Sequence, residues 1–370
     1  MDNSGADKRP KILYAIQGTG NGHLSRARDI VPILQKKGDL DILISGIQAD
    51  VELPYPVLYR LKGLSFIFGK KGGVDLLATY RKGSLKRLYK EIQLVPVQDY
   101  DLVINDFEPV SAWACRIRHI PCIGLSHQAA VMNPKSPKPK KKDRIGKSIL
   151  ENYAPVSIGY GFHFQSYDTS IFTPVIRQQI RHAMPSDKNH FTVYLPAYED
   201  DRIIKVLSEI DDVNWQVFSK HSKKEYSKKN IHVRPIDNEA FVNSMVNCSG
   251  MLCGAGFEAP AEALFLKKKL LVIPMKSQYE QQCNAAAIRE LGVPVLKSLK
   301  KKHIETIREW TKTTQDIQVN YPDNTENIVD LILQRHLGQQ QSTPLSLGDP
   351  IHSLKRFREK SLEKIIKQLQ

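Results

Sequence analysis

No apolar run in this 370-residue chain approaches the roughly 20 residues that a membrane span needs, so a transmembrane helix is excluded. The opening MDNSGADKRP lacks the apolar centre of a secretory signal, and a cytoplasmic protein is expected. The 5 cysteines, at 115, 122, 248, 253 and 283, are odd in number and scattered, and they show no CxxC spacing. They read as reduced, buried thiols rather than a disulfide framework or a metal site. Aromatic residues make up 8% and do not interleave the basic runs, which speaks against a stacking surface for nucleic acid. There is no G-x-x-x-x-G-K-[ST] phosphate loop and no paired aspartate at a strand end to hold a metal.

Positive charge is in excess: 54 Lys and Arg stand against 39 Asp and Glu, a net +15. Such a charge points to an anionic partner. It is densest in SPKPKKKDR (136–144), LKKK (266–269) and KSLKKKH (297–303). The first lies in VMNPKSPKPKKKDRIGKS, which has no apolar period and reads as a surface loop.

The length exceeds one ordinary core and predicts two domains. KILYAI (11–16) reads as a buried strand, Leu24, Ala27, Val31 and Leu34 fall at helical spacing up to Gly38, and LDILISG (40–46) is the next strand. YDLVINDFEP with SAWACRIRHI repeats the theme, and PCIGLSHQAA is a strand with a polar tip. The pattern restarts at HFTVYLPAYED and runs through EQQCNAAAIRELG, closed by Gly292. Two βαβ series predict an α/β protein of two doubly wound, Rossmann-like domains facing across a cleft. The expected division is 1–170 for an acceptor-side domain, 171–337 for a nucleotide-binding domain and 338–349 for a linker. An amphipathic basic helix is expected over 350–370, with Leu354, Phe357, Leu362, Ile365, Ile366 and Leu369 on one stripe.

The stretch YAIQGTGNGHLSRARDI (14–30) invites a dinucleotide reading, but His23 stands where the third glycine of G-x-G-x-x-G belongs, and the second strand ends without an acid. A glycine turn remains that brings backbone close to a ligand at a helix N-terminus and sets His23 at the carboxyl edge of the sheet. Asp106 and Glu108 follow a strand at the same edge, and an aspartate there can fix a histidine's tautomer and stabilise its imidazolium. Helix capping is the competing role for Asp106. His127 sits at a third strand tip. In the second half, CGAGFEAPAE sets a Gly-Ala-Gly turn before a helix, which suits a diphosphate, and Glu262 follows at the second turn. Glu280, Gln281 and Asn284 supply groups suited to sugar hydroxyls.

Together these motifs resemble a glycosyltransferase of the GT-B architecture, in the branch of the peptidoglycan N-acetylglucosaminyltransferase that glycosylates a lipid-linked muramoyl-peptide. The branch's GGTGGH loop stands here as QGTGNGH, with Gln17 and Asn21 replacing glycines. Its donor signature stands as Gly256, Glu262, Pro274 and Glu280-Gln281 through Asn284-Ala285. The resemblance implies an inverting transfer from a nucleotide sugar, UDP-linked, to a lipid-linked or cell-envelope glycan, with His23 as general base assisted by Asp106. Substrate contacts are expected at Gly20, Asn21, Gly22, Glu108, His127 and Gln128, with plain loop packing the competing role for His127. Donor contacts fall at Phe241 near the base, Gly254, Ala255 and Gly256 at the diphosphate, Glu262 at the ribose, and Glu280, Gln281 and Asn284 around the sugar. No cofactor or metal is expected, since helix N-termini and basic groups can carry the leaving charge. The branch's apolar docking patch cannot be identified; Lys138, Lys140, Lys141 and Lys142 stand there instead, suited with the terminal helix to an anionic inner membrane face, and equally to an acidic polysaccharide. Three alternatives stay open: a UDP-sugar 2-epimerase of the same architecture, whose extra acidic residues find no place, a basic nucleic-acid-binding protein, and a degenerate, inactive binding protein.

Overall fold

A computed structural model of the chain describes residues 9–46, 53–64, 68–69, 73–74, 85–276 and 278–337. The expected linker 338–349 and terminal helix 350–370 lie outside the described residues. The chain opens with β1 (Lys11–Gln17), α1 (Asn21–Lys37), β2 (Asp39–Ser45) and β3 (Tyr59–Leu61). A small antiparallel ribbon, β4 (Phe68–Gly69) with β5 (Gly73–Val74), precedes α2 (Leu85–Leu94). Then come β6 (Leu102–Asp106), α3 (Pro109–Arg118), β7 (Ile123–Leu125), α4 (His127–Met132) and α5 (Arg144–Tyr153). Strands β8 (Ile158–Phe162) and β9 (Ile171–Phe172) finish the first sheet. Its order is β3-β2-β1-β6-β7-β8-β9, every pair parallel.

Alternate residues of β1 enter two different cores, as a strand covered on both faces requires. Ile12, Tyr14 and Ile16 join one with Leu24, Ile30 and Leu34 of α1; Leu13 and Ala15 join the other with Val103, Val110 and Trp113. The Lys- and Pro-rich loop is shorter than the sequence suggested, because Asp143 accepts from Gly146 N–H at 2.8 Å and starts α5.

The second sheet gathers β10 (Phe191–Tyr194), β11 (Trp215–Ser219), β12 (Tyr226–Lys228), β13 (Ile231–Pro235), β14 (Gly250–Gly254) and β15 (Lys269–Ile273). Its order is β12-β13-β11-β10-β14-β15, parallel except for β12 at the edge. A short helix, α6 (Gln178–Arg181), leads in; α7 (Asp200–Leu207), α8 (Asn238–Asn247) and α9 (Glu258–Phe265) are its crossovers, and α10 (Tyr279–Glu290) follows the last strand. Helix α11 (Ile304–Lys312) follows, and α12 (Thr325–His336) packs back on α1, with Lys37 Nζ 2.8 Å from Asp330 and Tyr160 hydroxyl 3.0 Å from His336 Nε2. The halves share one apolar cluster, running from Leu24 and Phe162 to Phe257, Ile288 and Ile332. In both sheets the strand order reverses beside the first strand, which leaves a switch point after β1/β6 and another after β10/β14, the place where open α/β sheets form crevices.

The segment joining the halves is held by Asp29 of α1, which accepts from Gln178 N–H at 3.2 Å. Burial pushes the Asp29 carboxyl up to about 6, against that hydrogen bond and the charge of Arg177. A carboxyl raised in the folded state adds stability below the ordinary range, and that stability is lost as pH climbs through the folded value. Asp29→Asn is therefore expected to raise the urea midpoint at pH 7 and to match the parent near pH 4, where Asp29 is protonated in the parent as well; equal midpoints at both values contradict this.

Candidate active site

The turn after β1 is Gly18–Gly20, and α1 starts at Asn21, three residues earlier than the apolar spacing indicated. Gly20 is the cap, at φ 99, a backbone conformation that favours glycine. Asn21, Gly22 and His23 thus form the first helical turn at the switch point of the first sheet.

Asp106 ends β6, and its Oδ1 lies 2.8 Å from His23 Nδ1. Asp106 is fully buried and caps no helix; Glu108 does. Phe107 between them sits at φ 58, a strained setting for a bulky residue. That left-handed residue sends Asp106 toward His23 and Glu108 back onto α3. Glu108 accepts from Val110 and Ser111 N–H, both at 2.6 Å, and from the Ser45 hydroxyl at 2.5 Å. Asn105 clasps the turn, donating to Glu108 O at 2.7 Å and accepting from Glu108 N–H at 3.0 Å. Glu108, expected at the substrate, is instead a buried capping residue with its oxygens consumed, and burial pushes its carboxyl up despite those bonds.

Sequence reasoning missed Arg26. Its side chain is buried, three residues after His23 on the same helix face. Nη2 lies 2.7 Å from Asp106 Oδ1 and 2.8 Å from Oδ2, Nε lies 3.2 Å from Oδ2, and Nη1 reaches Glu258 Oε1 of the second half at 2.5 Å. Burial alone would push the Asp106 carboxyl up; Arg26 and then His23 outweigh it and hold it below the ordinary range. Tyr14 of β1 lies under the pair, its phenol raised by burial and then by the Asp106 charge. The spacing His-x-x-Arg was the available signal.

His127 and Gln128 open α4, capped by Ser126, rather than extending the strand tip. His127 is buried between the Phe162 carbonyl, 2.8 Å from Nδ1, and Asn284 Oδ1, 2.7 Å from Nε2, and stacks on Phe257 at 3.9 Å. Gln128 Nε2 donates to Glu280 Oε2 at 3.0 Å and lies 3.4 Å from His23 Nε2. These contacts draw α4 of the first half and α10 of the second together.

On the second sheet the Gly254-Ala255-Gly256 turn links β14 to α9, with no side chain capping that helix and open space at Gly256. Asn284 donates to Ala255 O at 3.1 Å and is buried, so it braces the turn from behind. Gln281 Oε1 accepts from Met275 N–H at 2.8 Å and flanks Gly254. Phe241 lies inside α8, against Tyr194 and Phe218 at the carboxyl end of the sheet. Glu262 is buried with both oxygens on the fork of Arg177, at 2.5 and 2.7 Å, while Arg177 also reaches Asn238. Its carboxylate is therefore engaged by Arg177, the residue before α6, a pairing with no signature in sequence spacing.

Lys138 departs from its expected place on the surface. Its ammonium donates to the carbonyls of Val131, Asn133 and Ser136 at 2.7, 2.7 and 2.9 Å, closing the end of α4. Lys140, Lys141 and Lys142 are exposed.

Comparison with known proteins follows the same lines. No curated protein matches the chain. Among solved structures, the glycotransferase of kitacinnamycin superposes with a TM-score of 0.55 at 11% identity, over 89% of this chain and 100% of that one. UGT89C1 of Arabidopsis thaliana, complexed with UDP, gives 0.54 at 13% over 94% and 100%. MurG of Acinetobacter baumannii gives 0.52 at 13% over 88% and 100%. At such identities these likenesses show the shared GT-B fold and single out no one branch of it. Residues 10–312, most of the chain, match glycosyl transferase family 1. The protein belongs to glycosyl transferase family 1 and is a glycosyltransferase.

Proposed function

We propose that the protein is an inverting glycosyltransferase that moves a sugar from a UDP-sugar to a glycan acceptor seated against the first half. The observation that carries this reading is the His23–Asp106 pair, 2.8 Å apart at one switch point, with its neighbours Gly22 and Arg26 against Glu258 in the first turn of α9. The acceptor hydroxyl attacks the anomeric carbon as the bond to the diphosphate oxygen breaks. Its proton passes to His23 Nε2, while Nδ1–H donates to Asp106, which holds the tautomer and steadies the imidazolium. The free N–H groups of α9 face the departing diphosphate. UDP as the nucleotide is supported by the UDP bound in UGT89C1 and the UDP-2fluoro-glucose bound in UGT2 of Phytolacca americana, a likeness of TM-score 0.53. Phe241 and its aromatic neighbours offer the base a platform, Gln281 and Glu280 border the sugar, and Glu262 takes the ribose once Arg177 yields an oxygen. The peptidoglycan-branch motifs favour a lipid-linked or envelope acceptor, and Lys140, Lys141 and Lys142 offer it an anion-binding rim.

Thermal unfolding with nucleoside diphosphates tests the reading. UDP at a hundredfold excess over Kd is expected to add about 2.7 kcal/mol of stability, which raises Tm by a few degrees, in a concentration-dependent way. No shift with any nucleoside diphosphate contradicts it.

A further inference from the structure

Arg26 ties the carboxylate beside His23 directly to the second half. Its Nε and Nη2 are spent on Asp106, and its remaining nitrogen, Nη1, is 2.5 Å from Glu258 Oε1, which the second half supplies from the first turn of α9. Glu258 keeps a quarter of its side chain exposed, whereas Arg26 has 1%. The Glu258 carboxylate also lies against Gly22: a Cβ there would overlap it, so a side chain at 22 would push the carboxylate aside.

We propose that Arg26 is a positioning residue that couples closure of the two halves, sensed through Glu258, to the His23–Asp106 pair. The inference rests on the reading of His23 as the base. With Glu258 withdrawn, Arg26 and Asp106 neutralise each other beside the imidazole. When Glu258 arrives, the cluster gains one negative charge at the moment the donor is enclosed, and His23 can take a proton at lower electrostatic cost. The fork also keeps Asp106 from rotating away from Nδ1. Gln128 from α4 faces His23 and so, through Gln128, does Glu280 from α10, with His127 4.0 Å from Glu280, while Tyr14 from β1 faces Asp106 and Arg26. None of these spans both Asp106 and the second half as Arg26 does.

The test uses the full chain as parent, Glu258→Gln, Arg26→Lys and Arg26→Gln, with UDP-glucose and UDP-N-acetylglucosamine as probes and UDP release as readout. Glu258→Gln leaves Arg26 paired with Asp106, so folding is not at stake. It is expected to lower kcat about tenfold, the scale of one coupling interaction, to keep UDP affinity within about threefold, and to move the acid limb of the kcat profile to lower pH. Arg26→Lys is expected to retain more kcat than Arg26→Gln. A Glu258→Gln enzyme with the parent's kcat and pH profile overturns the proposal, and so does an equal loss of kcat and UDP affinity. If the parent itself neither binds UDP nor releases it, the functional reading fails. Hydrogen exchange then decides the link alone: faster exchange at 20–23 and 127–132 in Glu258→Gln upholds it, and unchanged exchange overturns it.

Discussion

Replacing His23 by alanine is expected to reduce sugar transfer by roughly 10²- to 10⁴-fold, the range a positioned general base supplies, while UDP affinity stays within about threefold. The two readouts separate because the two jobs sit on different sheets. His23 is on α1 of the first half, and the turn before α9 belongs to the second. His23 Nδ1 contacts Asp106 and Arg26, both of the first half, and its Nε2 meets only the weak approach of Gln128 at 3.4 Å. Truncation removes the proton acceptor and leaves Arg26 with its carboxylate partners, so stability should change little. Calorimetric titration with UDP and UDP release from the sugar panel check this. A large loss of UDP affinity would show that the first half binds the nucleotide, against the division of labour proposed.

Asp106→Asn is expected to be the most destabilising conservative change in the site, by about 3–5 kcal/mol, because it strips a buried guanidinium of its main counter-charge. Arg26 is 1% exposed and its partner is fully buried. Only Glu258, across the cleft, would remain against it. Urea unfolding measures the loss, and Asp106→Asn with Arg26→Met should recover part of it, since the stranded charge is then gone. A double variant no more stable than the single one contradicts the account. The pH dependence follows in sign. Asp106 is held below its ordinary range in the folded chain, so its contribution is present above the unfolded value, near 4, and fades as pH falls through the folded one. The gap between parent and Asp106→Asn should therefore narrow under acid conditions.

Short continuous apolar runs made the two parallel sheets legible, because a strand covered on both faces leaves an unbroken run and a helix covered on one leaves a spaced stripe. Glycine and charge at the strand ends marked the rest: Gly18–Gly22 before His23, and Gly254–Gly256 before α9. NDFEP was only half legible. Two acids two residues apart were visible, but the left-handed Phe107 that sends one to the histidine and the other to a helix cap is a backbone choice that local spacing does not encode. Lys138 misled for a related reason, since a lysine in a basic run looks solvated until three carbonyls converge on it.

What the sequence determined by itself is everything carried by near neighbours: the βαβ order, the turns at the strand ends, and His23 at a helical start beside the glycine turn. What only the tertiary structure decided is partnership at long range. Arg26 meets Glu258 across 232 positions, His127 meets Asn284 across 157, and Glu262 meets Arg177 across 85. Those contacts depend on how two independently wound sheets dock, and the free energy of docking is shared among an apolar cluster, stacked rings and charge pairs that no periodicity records. The opening glycines illustrate the division. Sequence alone shows a turn that frees a histidine, and the folded chain adds that Gly22 is the space into which the other half's carboxylate comes.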